Sequence, residues 1–259
     1  MIRFRFALLY PTPDAAEDDF IDVAARCDPP ADVIPVHFPW PEGVEDLTLL
    51  DTEQTYAAVR ELGSDSHLEQ VIPALHGFDA AIFAVTSSSF LHGEHGVAHQ
   101  LRTLHRLTGL PTVSTTSAFQ HAVRHLNLSR VALASVYHPA ASNHFIQRLA
   151  EAGATTVSRV DADASSDREL ADWTSDQIAS LVQSCLHDQA QAVVLPETAL
   201  HTATIADRLD EAAGRPVLTA TQVSIWAAYD AIAQRPHTTN AGSLFTRAKS
   251  ARLPRADCG

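Results

Sequence analysis

The chain has 259 residues, 46% hydrophobic and 19% charged, enough apolar material for one large α/β unit or two smaller domains, with no signature of general disorder. Its 31 acidic and 18 basic residues give a formal net charge of −13. That charge argues against nucleic acid or an anionic membrane as partner, since both need a positive field. The single lysine, Lys249, lies near the C-terminus, which removes Schiff-base and pyridoxal-phosphate chemistry in a folded core.

Taken in chain order, the residues around 1–11 hold only a five-residue apolar run before Pro11, and no 18-residue apolar span exists anywhere. A cytoplasmic protein with no membrane contact is the expectation. Short apolar runs at 6–10, 80–85, 112–114, 131–136, 192–195 and 217–219 are the predicted strands. Helix-period stretches at 52–62, 95–107, 117–126, 143–152, 175–189 and 205–213 lie between them. Apolar strands without alternation, interleaved with helices, predict an α/β fold with parallel sheets covered on both faces. Neither Gly-x-x-x-x-Gly-Lys nor a strand followed by Gly-x-Gly-x-x-Gly is present, so no nucleotide cofactor is expected.

The chain also repeats itself. Asp79-Ala-Ala-Ile-Phe-Ala-Val-Thr86 parallels Gln191-Ala-Val-Val-Leu-Pro-Glu-Thr198, and Gly109-Leu-Pro-Thr-Val-Ser-Thr-Thr116 parallels Gly214-Arg-Pro-Val-Leu-Thr-Ala-Thr221. A weaker pair sets Phe6-Ala-Leu-Leu-Tyr-Pro11 against Ala132-Leu-Ala-Ser-Val-Tyr-His-Pro139. The ordered pairs predict two similar half-domains, 1–117 with 222–234 and 118–221. Residues 235–259 carry Arg235, Arg247, Lys249, Arg252 and Arg255, and read as a flexible basic tail or an arm that clasps a partner subunit. Homo-oligomerisation is open.

Ligand sites in parallel α/β sheets lie beyond the carboxyl ends of the strands. Facing halves would therefore place Val85, Thr86, Ser87, Tyr137, Glu197 and Thr198 around one cleft. The Thr86-Ser87-Ser88-Ser89 turn offers hydroxyls either to an anion or as simple helix caps. Glu197 follows an apolar strand, where burial would raise its pKa and suit it to general acid–base work; the alternative is a carboxylate at a helix start. Tyr137 is a hydrogen-bond donor or a packing residue. His92, His95 and His99 form a cluster, but its spacing matches neither zinc-protease motif, so helix-surface histidines are expected and no metal. Cys27, Cys185 and Cys258 form no metal-site or disulfide pattern and are read as non-catalytic.

Together these signatures resemble the aspartate/glutamate racemase superfamily in its maleate isomerase and arylmalonate decarboxylase branch. The resemblance spans roughly residues 6–230 and rests on Val85-Thr-Ser-Ser-Ser-Phe90 with Gly93, the two Gly-x-Pro strands, Val131 to Tyr137, Glu197 to Thr202, and Trp226. It implies two α/β half-domains about a pseudo-twofold axis, a site between them and no cofactor. It also implies that Val85 and Glu197 stand where the family places its two proton-transferring cysteines. By the same likeness Thr86, Ser87 and Tyr137 would cradle a substrate carboxylate and its enediolate, with Thr12 adding contacts; Val85, Ser88, Thr116 and Thr198 are the further expected substrate contacts. The expected function is a cofactor-independent lyase or isomerase acting on a small carboxylate- or carbonyl-containing substrate. A hydrolase or hydratase in which Glu197 activates water, and a non-catalytic carboxylate binder, are the competing readings.

Overall fold

The computed structural model describes residues 3–44 and 49–246. The first half carries strands β1 (Phe4–Tyr10), β2 (Ala31–His37), β3 (Ala80–Phe83) and β4 (Thr112–Ser114), and the second carries β5 (Arg130–Ser135), β6 (Thr155–Asp161), β7 (Ala192–Leu195) and β8 (Val217–Thr219). They form two four-stranded sheets ordered β2-β1-β3-β4 and β6-β5-β7-β8, parallel throughout. The predicted α/β class and its two similar halves are both present. The internal repeat falls on β3 and β7, on β4 and β8, and on β1 and β5.

Local chemistry repeats with it. Helix α5 (Gly93–Thr108) ends on Gly109 at φ +73°, and helix α10 (Ala206–Ala213) ends on Gly214 at φ +63°. Each glycine supplies the left-handed turn that closes a helix, and the proline two residues on prevents its continuation. The strands that follow end on Ser114 and Thr219, whose hydroxyls cap helices α6 (Thr115–His125) and α11 (Ala220–Ala231). One Gly-x-Pro-strand-cap cassette is thus used twice.

The edge strands β2 and β6 escape the sequence reading because neither is a continuous apolar run. Pro35 interrupts β2, which an edge tolerates, and β6 has no buried residue. Helix α11 escaped for the opposite reason. All of 220–229 is buried, so no polar face gives it a 3.6-residue period.

The first sheet is covered on one face by helix α1 (Glu17–Arg26) and by α11, with Phe20, Val223 and Tyr229 in one cluster with Phe6, Leu8 and Ile82. The Phe6 and Tyr229 rings meet edge-on at 4.9 Å. Its other face packs Leu9 and Phe83 against Leu62, Leu68 and Leu104, which come from α2 (Thr52–Leu62), α3 (Asp65–Val71) and α5. The chain therefore returns from β8 in the second half to finish the first.

The tail needs a correction. Residues 235–246 are not a free end. His237 exchanges backbone hydrogen bonds with Asp28, Gln222 Nε2 donates to Ala241 O at 2.7 Å, and Asp207 and Asp210 accept the Gly242 and Ser243 N–H groups. Leu244 and Phe245 are buried, which gives this stretch the apolar anchor its composition had hidden. The basic run Arg247, Lys249, Arg252 and Arg255, like Cys258, lies outside the described residues. No helix among the described residues is long and apolar enough to cross a membrane.

Candidate active site

Strands β3 and β7 point their carboxyl ends at one cavity of about 270 Å³. From β3 the chain passes Ala84 and Val85 into the short helix α4 (Thr86–Phe90); from β7 it passes Pro196, Glu197 and Thr198 into a turn rather than a helix. Val85, Ser87, Tyr137, Glu197 and Thr198 all line the cavity. Glu197 is therefore no helix-start carboxylate.

The Glu197 side chain is held tightly. It is 4% exposed, and its Oε1 accepts the Ala199 N–H at 2.8 Å and the Thr198 hydroxyl at 3.4 Å. Burial, and then the negative charge of Asp167, push its pKa up to about 7, against the pull of Ala199 N–H, the Tyr137 hydroxyl and Thr198 N–H. The backbone on either side is braced by two tyrosines from equivalent strands. Tyr137, just past β5, donates to Pro196 O at 2.6 Å, and Tyr10, at the end of β1, donates to Thr198 O at 3.1 Å. Burial, and secondly the Glu197 charge, hold the Tyr137 hydroxyl well above its usual pKa, so it remains a donor.

Thr86 is 2% exposed, and its hydroxyl lies alongside that of Tyr137 without a good hydrogen bond of its own. A buried hydroxyl left unsatisfied is costly unless something else bonds to it. Thr86, Ser88 and Thr116, all expected at the cavity, are not among the residues that line it. Ser88 is buried under α2, where only a glycine fits at 63, since a Cβ there would sit 2.3 Å from Ser88 Oγ. Thr116 donates to Thr86 O at 2.9 Å and so props the turn from behind. Thr12 reaches the site indirectly: its hydroxyl donates to Asp167 Oδ2 at 3.3 Å and accepts Trp40 Nε1–H at 3.4 Å.

Sequence reading missed Asp167, together with Tyr10, Trp40, Tyr56 and His138, which also line the cavity. Asp167 opens the five-residue helix α8 (Asp167–Ala171) behind the cap Ser166, so in sequence it looks like an ordinary first-turn acid. Burial raises its carboxyl pKa, opposed by the Thr12 hydroxyl. Tyr56 spans the two halves. Its hydroxyl accepts Ala141 N–H at 3.0 Å and lies 3.1 Å from His138 Nδ1.

The histidine cluster disperses. His92 Nε2 bonds Arg60 O at 3.0 Å, His99 pairs with Asp65 at 2.5 Å, and His95 is exposed. Among the described residues, Asp18, Asp19 and His201 bring ligand-type atoms within 4.8 Å of one another, outside the cavity. Asp19 already spends its carboxylate on the N–H groups of Thr202 and Ala203 and on His201 Nδ1. It pins the turn that follows Glu197. Cys27 and Cys185 are buried at the ends of α1 and of α9 (Ser175–Ser184), and burial pushes their thiols up to about 12 and about 11.

A cavity between two parallel-sheet halves, with a buried acid at one strand end, has the layout of an α/β enzyme site. The arylmalonate decarboxylase family model matches residues 51–245, and the chain belongs to that family. A crystal structure of arylmalonate decarboxylase superposes with a TM-score of 0.67 at 19% identity, covering 94% of this chain and 100% of that one. The maleate isomerase Iso of Pseudomonas putida S16 gives 0.75 at 14% identity, covering 94% of this chain and 98% of that one. A maleate cis-trans isomerase of Nocardia farcinica, with a covalently bound succinylcysteine intermediate, gives 0.71 at 17%, covering 95% and 100%. No curated protein sequence matches the chain.

Proposed function

We propose that the protein is a cofactor-independent lyase or isomerase that moves a proton at a carbon next to a carboxylate or carbonyl, with Glu197 as the proton-transfer group. The observation that carries this reading is a buried carboxyl, its pKa raised to about 7, at a strand end whose counterpart in the other half is Val85. A carboxyl with this pKa is partly protonated near neutrality, where a general acid works best. Valine cannot titrate, so the equivalent strand end of the other half supplies no proton.

In the decarboxylation form of the reaction, the bond between the α-carbon and a carboxylate breaks and carbon dioxide leaves. The electron pair remains as an enediolate. In this scheme the Ser87 hydroxyl hydrogen-bonds its oxygens, joined by the Tyr137 hydroxyl when that leaves Pro196 O, with the buried Thr86 hydroxyl behind them, and each such donor is worth about 10²–10³ in rate. The Glu197 O–H then protonates the carbon from its own face, and the resulting carboxylate recovers a proton from water.

The test is Glu197→Gln, assayed against arylmalonates, their monoesters and maleate. Turnover should fall by about 10²–10⁴ while ligand binding survives. In deuterium oxide the parent should place one deuterium on the product carbon in a single configuration. A near-parental rate in the variant rejects the mechanism. Binding without turnover in the parent marks a carboxylate-binding relative, and water addition marks a hydratase.

A further inference from the structure

The cavity presents two carboxyl groups, Glu197 and Asp167, and among the described residues no Arg or Lys lines it. His138 lines it too, its Nδ1 accepting the Ala140 N–H at 3.2 Å and facing the Tyr56 hydroxyl. Tyr10 and Tyr137 are neutral donors already committed to backbone carbonyls, and Asp163 at the rim adds a further acid. Asp167 itself is bonded by one neutral hydroxyl, that of Thr12. A confined site with two acids and no cation strongly disfavours an incoming dianion, because each like charge is felt at low effective dielectric.

Resting on the site proposed above, we infer that Asp167 is the charge-selecting residue of this cavity, admitting substrates with one anionic group and turning away dicarboxylate dianions. The substrate class is then a monoanionic acid with a neutral acyl neighbour, such as a malonate half-ester or half-amide or a β-keto acid. Its single carboxylate or carbonyl takes the Ser87 hydroxyl, and that of Tyr137 when it leaves Pro196 O, and its uncharged remainder lies against Trp40 and Tyr56. Asp167 acts through the field it exerts on ligand and on Glu197, and touches no reacting atom in this scheme.

The experiment uses the full chain and a matched pair of probes, phenylmalonate and its monomethyl ester, with binding followed by calorimetry at pH 7.5. The parent should bind the monoester at least tenfold more tightly than the dianion, and Asp167→Asn should shrink that ratio below threefold. Equal affinities in the parent, no measurable binding of either probe, or an unchanged ratio in the variant overturns the proposal. A ligand-free readout separates this from any failure of the Glu197 mechanism. The carboxyl ¹³C titration of Glu197 should move down in pH by half a unit or more in Asp167→Asn, and an unmoved midpoint counts against the proposal. If Asp167→Asn does not fold, the parent alone decides. Its affinity for the dianion should drop more steeply than that for the monoester between pH 6 and 8, and parallel curves reject charge selection.

Discussion

The two strand ends that meet at the cavity are built alike and equipped differently. Both follow four-residue buried strands, both stand one residue before a threonine, and both are flanked by a strand whose end contributes a tyrosine. One end presents Val85 and the other Glu197. On the proposed mechanism, the scaffold fixes where a proton can be delivered, while a single side chain fixes whether it is.

The sharpest way to break the contrast is to arm the silent end. Val85→Cys puts a titratable group opposite Glu197 at little change in volume. A product formed in one configuration by the parent should emerge racemised by the variant, read by chiral chromatography and by deuterium entering from both faces. Retention of a single configuration would mean that position 85 does not face the reacting carbon.

A second test concerns stability. The Glu197 carboxyl has its pKa raised from 4.5 to about 7 in the fold, so the folded state binds more protons than the unfolded one between these values. Stability from this group is therefore greatest in acid and falls as pH rises from about 4.5 to about 7, by roughly 3 kcal/mol in all. Glu197→Gln removes that dependence. The variant should be the more stable above pH 7 in urea titrations, with its advantage vanishing toward pH 4.5. An advantage independent of pH would mean that the Glu197 carboxyl is not the source.

The smallest effect belongs to the thiols. Cys27 and Cys185 are buried with pKa values pushed up to about 12 and about 11, so neither offers a thiolate at neutral pH. Iodoacetamide at pH 7.5 should leave activity unchanged. Loss of activity that a bound ligand prevents would place a cysteine in the site.

Much of this was legible in sequence because parallel strands buried on both faces are unbroken apolar runs, and because Gly-x-Pro punctuates both halves. The strand-end residues Val85, Ser87, Tyr137, Glu197 and Thr198 follow from that pattern, since a strand's position dictates what lies just beyond it. Ser88 and Thr116 were misplaced because a helical turn rotates neighbouring side chains to opposite sides, which a linear motif does not show. Asp167 and Tyr56 were invisible. Each comes from a helix whose local sequence looks like surface, and only tertiary packing turns it toward the cavity. The tail misled for the same reason, its charges outweighing Leu244 and Phe245 in composition.

The return of α11 to the first half has a consequence for how the chain is made. On the ribosome β1 to β4 emerge early, yet the face of their sheet that α1 covers stays incomplete until residues 220–231 arrive from beyond the second sheet. At about 5–20 residues per second that delay is on the order of ten seconds, during which Phe6, Leu8 and Ile82 are exposed to any other apolar surface nearby. The nascent first half is a natural client for a chaperone. A chain cut between the halves would leave the first sheet without α11.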